Sequence, residues 1–275
     1  MTLGQTLGRL RTLLSAPAGE DAWGHDPAFV RAVQPALDVL YDRWWRITAT
    51  GAEHLPDSNP PTRALIAANH AGVVPWDGAM IATAIRRNVG RDVRSLVLDW
   101  AFELPWASTA IRRSGGVPAS PHNALRLLEE DHLVLVFPEG AKGISKPYSE
   151  RYRLQRFGRG GFVETALRAQ APIIPCAVVG SEEIHPKIAE APGLAKLLRA
   201  PYLPITPTFP LLGPLGAVPL PSRWRIEFCA PVDLSAYGPD AAADRRLVLE
   251  LSDAIREQIQ AKVFENLIKR EGAFL

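Results

Sequence analysis

His70 ends an apolar, strand-like run, Ala64 to Asn69, and Asp77 opens a helix-like stretch a short way on. A neutral imidazole can take a proton from an alcohol while a carboxylate on its other nitrogen fixes the tautomer and stabilises the imidazolium. The pair therefore points to transfer of a group onto a hydroxyl. Each residue also has a plain structural reading, since an aspartate at a helix start is a common N-cap. Weight comes from a second segment, His132 to Gly143, whose buried-strand pattern stops at Pro138 and delivers Glu139, Gly140 and Lys142 into a loop. Active-site groups often occupy such strand ends.

Other chemistries lack their residues. Gly143-Ile-Ser-Lys-Pro147 misses the second glycine of a serine-hydrolase nucleophile elbow. There is no Walker loop, His-Glu-x-x-His or Gly-x-Gly-x-x-Gly pattern, which disfavours nucleotide-driven and metal-dependent mechanisms and leaves no metal site to expect. The two cysteines, Cys176 and Cys229, lie far apart in strand-like segments and read as buried thiols. A net charge of +2 gives no electrostatic argument for nucleic acid as a partner.

These residues need a scaffold, and alternating apolar patterns supply one. Strands are expected near 46–51, 64–69, 93–98, 133–137, 173–179 and 224–229, and helices near 77–87, 121–130, 160–169 and 243–270. Ser120-Pro121 is a strong helix start. The alternation predicts an α/β fold, a single layered domain with a mostly parallel or mixed central sheet flanked by helices. Residues 1–45 read as an N-terminal helical segment with possible membrane-surface contact, and 46–275 as the catalytic domain. The expected helix near 26–46 carries Tyr41, Trp44 and Trp45 beside Arg43 and Arg46, an aromatic and basic mix suited to a membrane interface or, equally, to a core.

Asn69-His70 with Asp77, Phe137-Pro-Glu-Gly140 and Ala171-Pro-Ile-Ile-Pro-Cys-Ala177 resemble three ordered blocks of the glycerolipid (lysophospholipid) acyltransferase superfamily, over roughly residues 45 to 235. The resemblance implies that His70 is the catalytic base and Asp77 its orienting acid. Glu139, Gly140 and Lys142 would bind the acceptor, Glu139 by accepting from a glycerol hydroxyl, and backbone N–H groups around Gly140 would stabilise the oxyanion. The implied reaction moves a fatty acyl group from acyl-CoA or acyl carrier protein, with no further cofactor, to a lipid hydroxyl. The first acceptor implied is 1-acylglycerol-3-phosphate, giving phosphatidate.

Three departures from the family pattern keep other readings open. Six residues separate His70 from Asp77 where the family has four, so the loop must bulge, for which Gly72 and Pro75 are suited. Lys142 stands where the family places an arginine for phosphate, which keeps charge but loses the bidentate fork. Ser114 stands near the family's other phosphate arginine. A neutral acceptor, diacylglycerol or a long-chain alcohol, is the alternative, and a non-catalytic lipid-binding protein is a third reading.

A run of cations, Lys142, Lys146, Arg151, Arg153, Arg156 and Arg159, follows Glu139 and suits a phosphate or the coenzyme A phosphates, or else is a solvated loop. The uncharged, proline-broken stretch Ala200 to Pro221 is expected to wall an acyl-chain tunnel or dip into a bilayer, and His185 to Arg199 to form a cationic amphipathic helix. With no long unbroken apolar span and no secretory signal pattern, the expectation is a peripheral protein on the cytoplasmic face of a membrane.

Overall fold

A computed structural model describes residues 21–57, 62–70, 76–103, 107–191, 193 and 204–274. Its centre is a seven-stranded sheet built from β1 (Thr48–Thr50), β2 (Ala64–Ala68), β3 (Val93–Val97), β4 (Gly116–Pro118), β5 (Leu133–Val136), β6 (Ile173–Val179) and β9 (Arg225–Phe228), in the order β1-β9-β6-β2-β5-β3-β4. Neighbours pair in parallel except β6 with β9, so the sheet is mixed and mostly parallel. A separate antiparallel ladder joins β7 (Ala189–Glu190) to β8 (Pro204–Ile205).

Both faces of the sheet are covered, which is why its central strands read as continuous apolar runs. All five residues of β2 are buried. Leu65 and Ala67 enter one core with residues of α5 (Pro121–Glu129), α7 (Gly161–Ala169) and α8 (Arg245–Lys269). Ala64, Ile66 and Ala68 enter the other with Met80, Ile81, Ala84 and Ile85 of α2 (Trp76–Val89). The remaining helices are α1 (Pro27–Val39), continued by a π-helical turn at Leu40–Trp44, and the short α3 (Trp100–Glu103), α4 (Ala107–Arg113) and α6 (Ala141–Ile144).

The local signals work as chemistry requires. The Ser120 hydroxyl accepts from the Asn123 N–H at 3.1 Å and Pro121 opens α5. Tyr41 and Trp45 belong to the second core, with Trp45 stacked on Trp224 at 4.7 Å between centroids, so of the expected interfacial aromatics only Trp44 is exposed. The helix expected from His185 is replaced over residues 185–191 by extended chain ending in β7. Pro192 would remove a backbone donor inside that helix, and pairing with β8 satisfies the backbone instead. The rest of that segment, 192 and 194–199, lies outside the described residues, as do 200–203 of the proline-rich stretch, residues 1–20 and the loop 71–75.

Candidate active site

The chain leaves β2 toward β3 on one side, and β6 pairs on the other side of β2, so the carboxyl end of β2 is a switch point, where α/β proteins place their sites. Asn69 extends the β2–β6 pairing past the strand: its amide donates to Val178 O at 2.9 Å and accepts from Val178 N–H at 2.7 Å. His70 follows. Its Nδ1 lies 2.7 Å from Asp77 Oδ2, and the Asp77 side chain is wholly buried in the first turn of α2. The wider spacing thus still closes the pair. With the carboxylate as acceptor, Nδ1 carries the proton and Nε2 the lone pair. Nε2 makes no hydrogen bond among the described residues, and the ring lies flat on Phe137 at 4.1 Å between centroids.

Glu139 reaches this histidine from β5. One carboxylate oxygen accepts the His70 backbone N–H at 2.9 Å and the other the Gln155 N–H at 2.6 Å, with Lys146 Nζ at 3.5 Å. The side chain is fully buried. The structure shows a positioning role beside the expected contact with an acceptor hydroxyl: the carboxylate ties three loops together from a buried place that is not among the cavity's lining residues. Gly140 turns the chain with φ +57°, and its own N–H is used by Phe137 O at 2.9 Å, so it is not an oxyanion donor. Gly143 is where α6 presses on the histidine: a Cβ there would come within 2.8 Å of His70 Cβ and 3.0 Å of Glu139 Cβ.

The basic run divides. Lys146 is buried between Glu139 and Glu182, 2.7 Å from the latter, and their charges raise its pKa against the lowering effect of burial. Burial pushes Glu182 up to about 7 despite that lysine. Arg151 lies over the rings of Tyr148 and Tyr152. Lys142, Arg153, Arg156 and Arg159 are exposed and form no ion pair among the described residues. Burial, with a smaller push from nearby charges, raises Cys176 and takes Cys229 up to about 12, which makes both inert thiols.

Beside His70 opens a cavity of about 670 Å³. Trp76, Ala79 and Ala82 of α2 line it, with Leu96 and Val97 of β3, Ala107, Ala110 and Ile111 of α4, Ala124 of α5, and Gly161 and Phe162 of α7. His70, Phe137 and Gly140 share its wall, and no lysine or arginine does among the described residues. The proline-rich stretch was expected to wall this space; its described part, 204–221, contributes no lining residue. The actual walls escaped the sequence because they are apolar side chains and glycines drawn a few at a time from several elements.

A base held by a buried carboxylate at the mouth of an apolar cavity suits acyl chemistry on a lipid, and the comparisons agree. The family model described as Acyltransferase matches residues 46–179. An uncharacterized protein of Mycobacterium tuberculosis strain H37Rv is 45% identical over 270 residues, 97% of this chain and 75% of its own. This chain belongs to the acyltransferase family. In fold it is similar to the 1-acyl-sn-glycerophosphate (LPA) acyltransferase PlsC of Thermotoga maritima. That match has a TM-score of 0.51 at 17% identity and covers 94% of this chain and 89% of that one. More distantly, it is 26% identical over 132 residues to the bovine (Bos taurus) DGAT1/2-independent enzyme synthesizing storage lipids, covering 48% of this chain and 38% of that enzyme. It is 39% identical over 70 residues to the chloroplastic phytyl ester synthase 2 of Arabidopsis thaliana, covering 26% of this chain and 10% of that protein.

Proposed function

We propose that this acyltransferase moves a fatty acyl group from a thioester, acyl-CoA or acyl carrier protein, to the hydroxyl of a neutral lipid such as diacylglycerol or a long-chain alcohol. The observation that carries this reading is the His70–Asp77 pair, joined at 2.7 Å, on the wall of an apolar cavity. Nε2 of His70 takes the acceptor's hydroxyl proton as the oxygen attacks the thioester carbonyl. Asp77 stabilises the imidazolium. The tetrahedral oxyanion then collapses, the carbon–sulfur bond breaks, and the imidazolium returns its proton to the leaving thiolate. Products are a lipid ester and a free thiol, with no covalent enzyme intermediate. The N–H groups of Ala141 and Lys142, at the start of α6, are the donors offered to the oxyanion in place of that of Gly140. The acyl chain occupies the cavity, where each buried methylene contributes about 0.8 kcal/mol.

A neutral acceptor is supported by the uncharged cavity wall and by the neutralisation of Lys146. Its similarity to the bovine enzyme synthesizing storage lipids and to the Arabidopsis phytyl ester synthase 2 supports it as well. A second reading, 1-acylglycerol-3-phosphate, is favoured by the exposed cations Lys142, Arg153, Arg156 and Arg159 outside the cavity, which form no ion pair among the described residues. Steady-state kinetics of Lys142→Ala and Arg156→Ala separate the two. With a neutral acceptor KM stays unchanged; a marked rise in the KM for lysophosphatidate, with diacylglycerol unaffected, would establish the phosphate reading.

A further inference from the structure

The stretch from Ala200 to Ser222 contains no charged residue, and its described part has no role in the cavity. It forms a self-contained loop. Thr206 and Phe209 exchange hydrogen bonds, Leu212 N–H donates to Thr208 O at 2.8 Å, Gly213 N–H to Pro210 O at 2.9 Å and Val218 N–H to Leu215 O at 3.1 Å. The Thr208 hydroxyl donates to Gly216 O at 3.2 Å. Outward from this closed backbone stand Leu211, 83% exposed, and Leu215, 71% exposed, together with Leu212 and Val218. Water gives four such side chains on one short loop no reason to be there. With many of its donors spent within the loop, less backbone must give up water when the loop enters the bilayer interface.

The base of the loop supplies the rest of an interfacial site. Three consecutive side chains hold three consecutive carbonyls: Trp44 Nε1 donates to Pro219 O at 3.0 Å, Trp45 Nε1 to Leu220 O at 3.1 Å, and Arg46 to Pro221 O at 2.8 Å. Trp44 is exposed with its indole at the foot of the leucines, and Arg43 beside it is exposed without an ion pair among the described residues. Apolar tip, tryptophan collar and arginine are the order of groups met on leaving a bilayer.

The position also fits. Val179, ending β6, pairs with Arg225, so Trp224 and the loop before it lie at the same sheet edge as His70 and Glu139. Trp224 stacks on Trp45, which meets Trp76 of the cavity wall at 5.5 Å between centroids.

We propose that residues 206–218 insert into the surface of a lipid bilayer and hold the catalytic edge of the sheet against it. The lipid hydroxyl and the acyl chain then reach His70 from the membrane. A fluorophore sensitive to polarity on Leu211→Cys tests this directly in the full chain, since Cys176 and Cys229 are buried and do not compete for label. Vesicles of phosphatidylcholine with phosphatidylglycerol should raise emission severalfold, shift it to the blue and, with nitroxide-bearing acyl chains, quench it. Leu211→Ser with Leu215→Ser should weaken vesicle sedimentation by about tenfold or more without changing the melting temperature. Neither readout uses turnover, so the loop is judged separately from the proposed reaction. Emission that ignores vesicles overturns the proposal, whether or not the protein sediments with them. So does a shift that depends on protein concentration without lipid, which would assign the leucines to a second copy of the chain.

Discussion

In the proposed mechanism His70 is the base and Asp77 holds its tautomer, so substitution of either should lower turnover. Removing the base by His70→Ala should lower turnover by about a hundredfold to ten-thousandfold. Asp77→Asn keeps the shape but offers a donor to Nδ1, so the ring no longer presents its lone pair at Nε2 in the right tautomer; a loss of similar order is expected in turnover with KM little changed. Gly143 tests position without touching chemistry. Gly143→Ala sets a methyl 2.8 Å from His70 Cβ, where overpacking costs about 1–3 kcal/mol and displaces the ring. Turnover on the order of a hundredfold lower, with the chain still folded by circular dichroism, is the expected result. Wild-type turnover would mean that this packing does not hold the base.

Glu139 belongs to the scale of elements, because it joins the loops after β2 and β5 to residue 155. Glu139→Gln leaves one acceptor oxygen for two backbone N–H groups, so one is unsatisfied and stability should fall by about 1–3 kcal/mol. Turnover should drop with it, while the acceptor's KM stays the same; a selective rise in KM would restore the direct acceptor contact. The Lys146–Glu182 pair behind this loop adds a pH dependence. Glu182 rises from 4.5 unfolded to about 7 folded, so it binds its proton more tightly when folded. Its contribution to stability is whole below pH 4.5 and is lost as pH climbs through 7. Thermal unfolding of wild type relative to Glu182→Gln should therefore show a falling difference across that window. A flat difference would mean that Glu182 ionises as easily in the fold as outside it.

The same scale explains what could be read from the amino acids. β2, β5 and β6 were legible because strands buried on both faces are unbroken apolar runs, and α5 because Ser120 and Pro121 cap it. β4 has three residues, two of them Gly116 and Pro118, and owes its form to register with β3. α3 and α4 are too short to show a helical period. Residue type exposed the chemistry of His70 and Asp77. It hid the partners of Glu139, since the Gln155 donor is a backbone group that any residue would supply.

As a whole molecule, the protein places an apolar cavity, a buried base pair and an exposed apolar loop around the carboxyl edge of one sheet. Among the described residues no helix is long and apolar enough to cross a membrane. The four exposed leucine and valine side chains of the loop form the bilayer contact proposed above. The most direct test of the central claim is acyl transfer from a labelled long-chain acyl-CoA. Diacylglycerol, a long-chain alcohol and lysophosphatidate would be offered side by side to the purified protein and to His70→Ala, with products resolved by mass. The account predicts triacylglycerol or a long-chain ester from the unmodified protein and almost none from the variant. Equal product from both proteins, or no lipid ester from any acceptor, would contradict it.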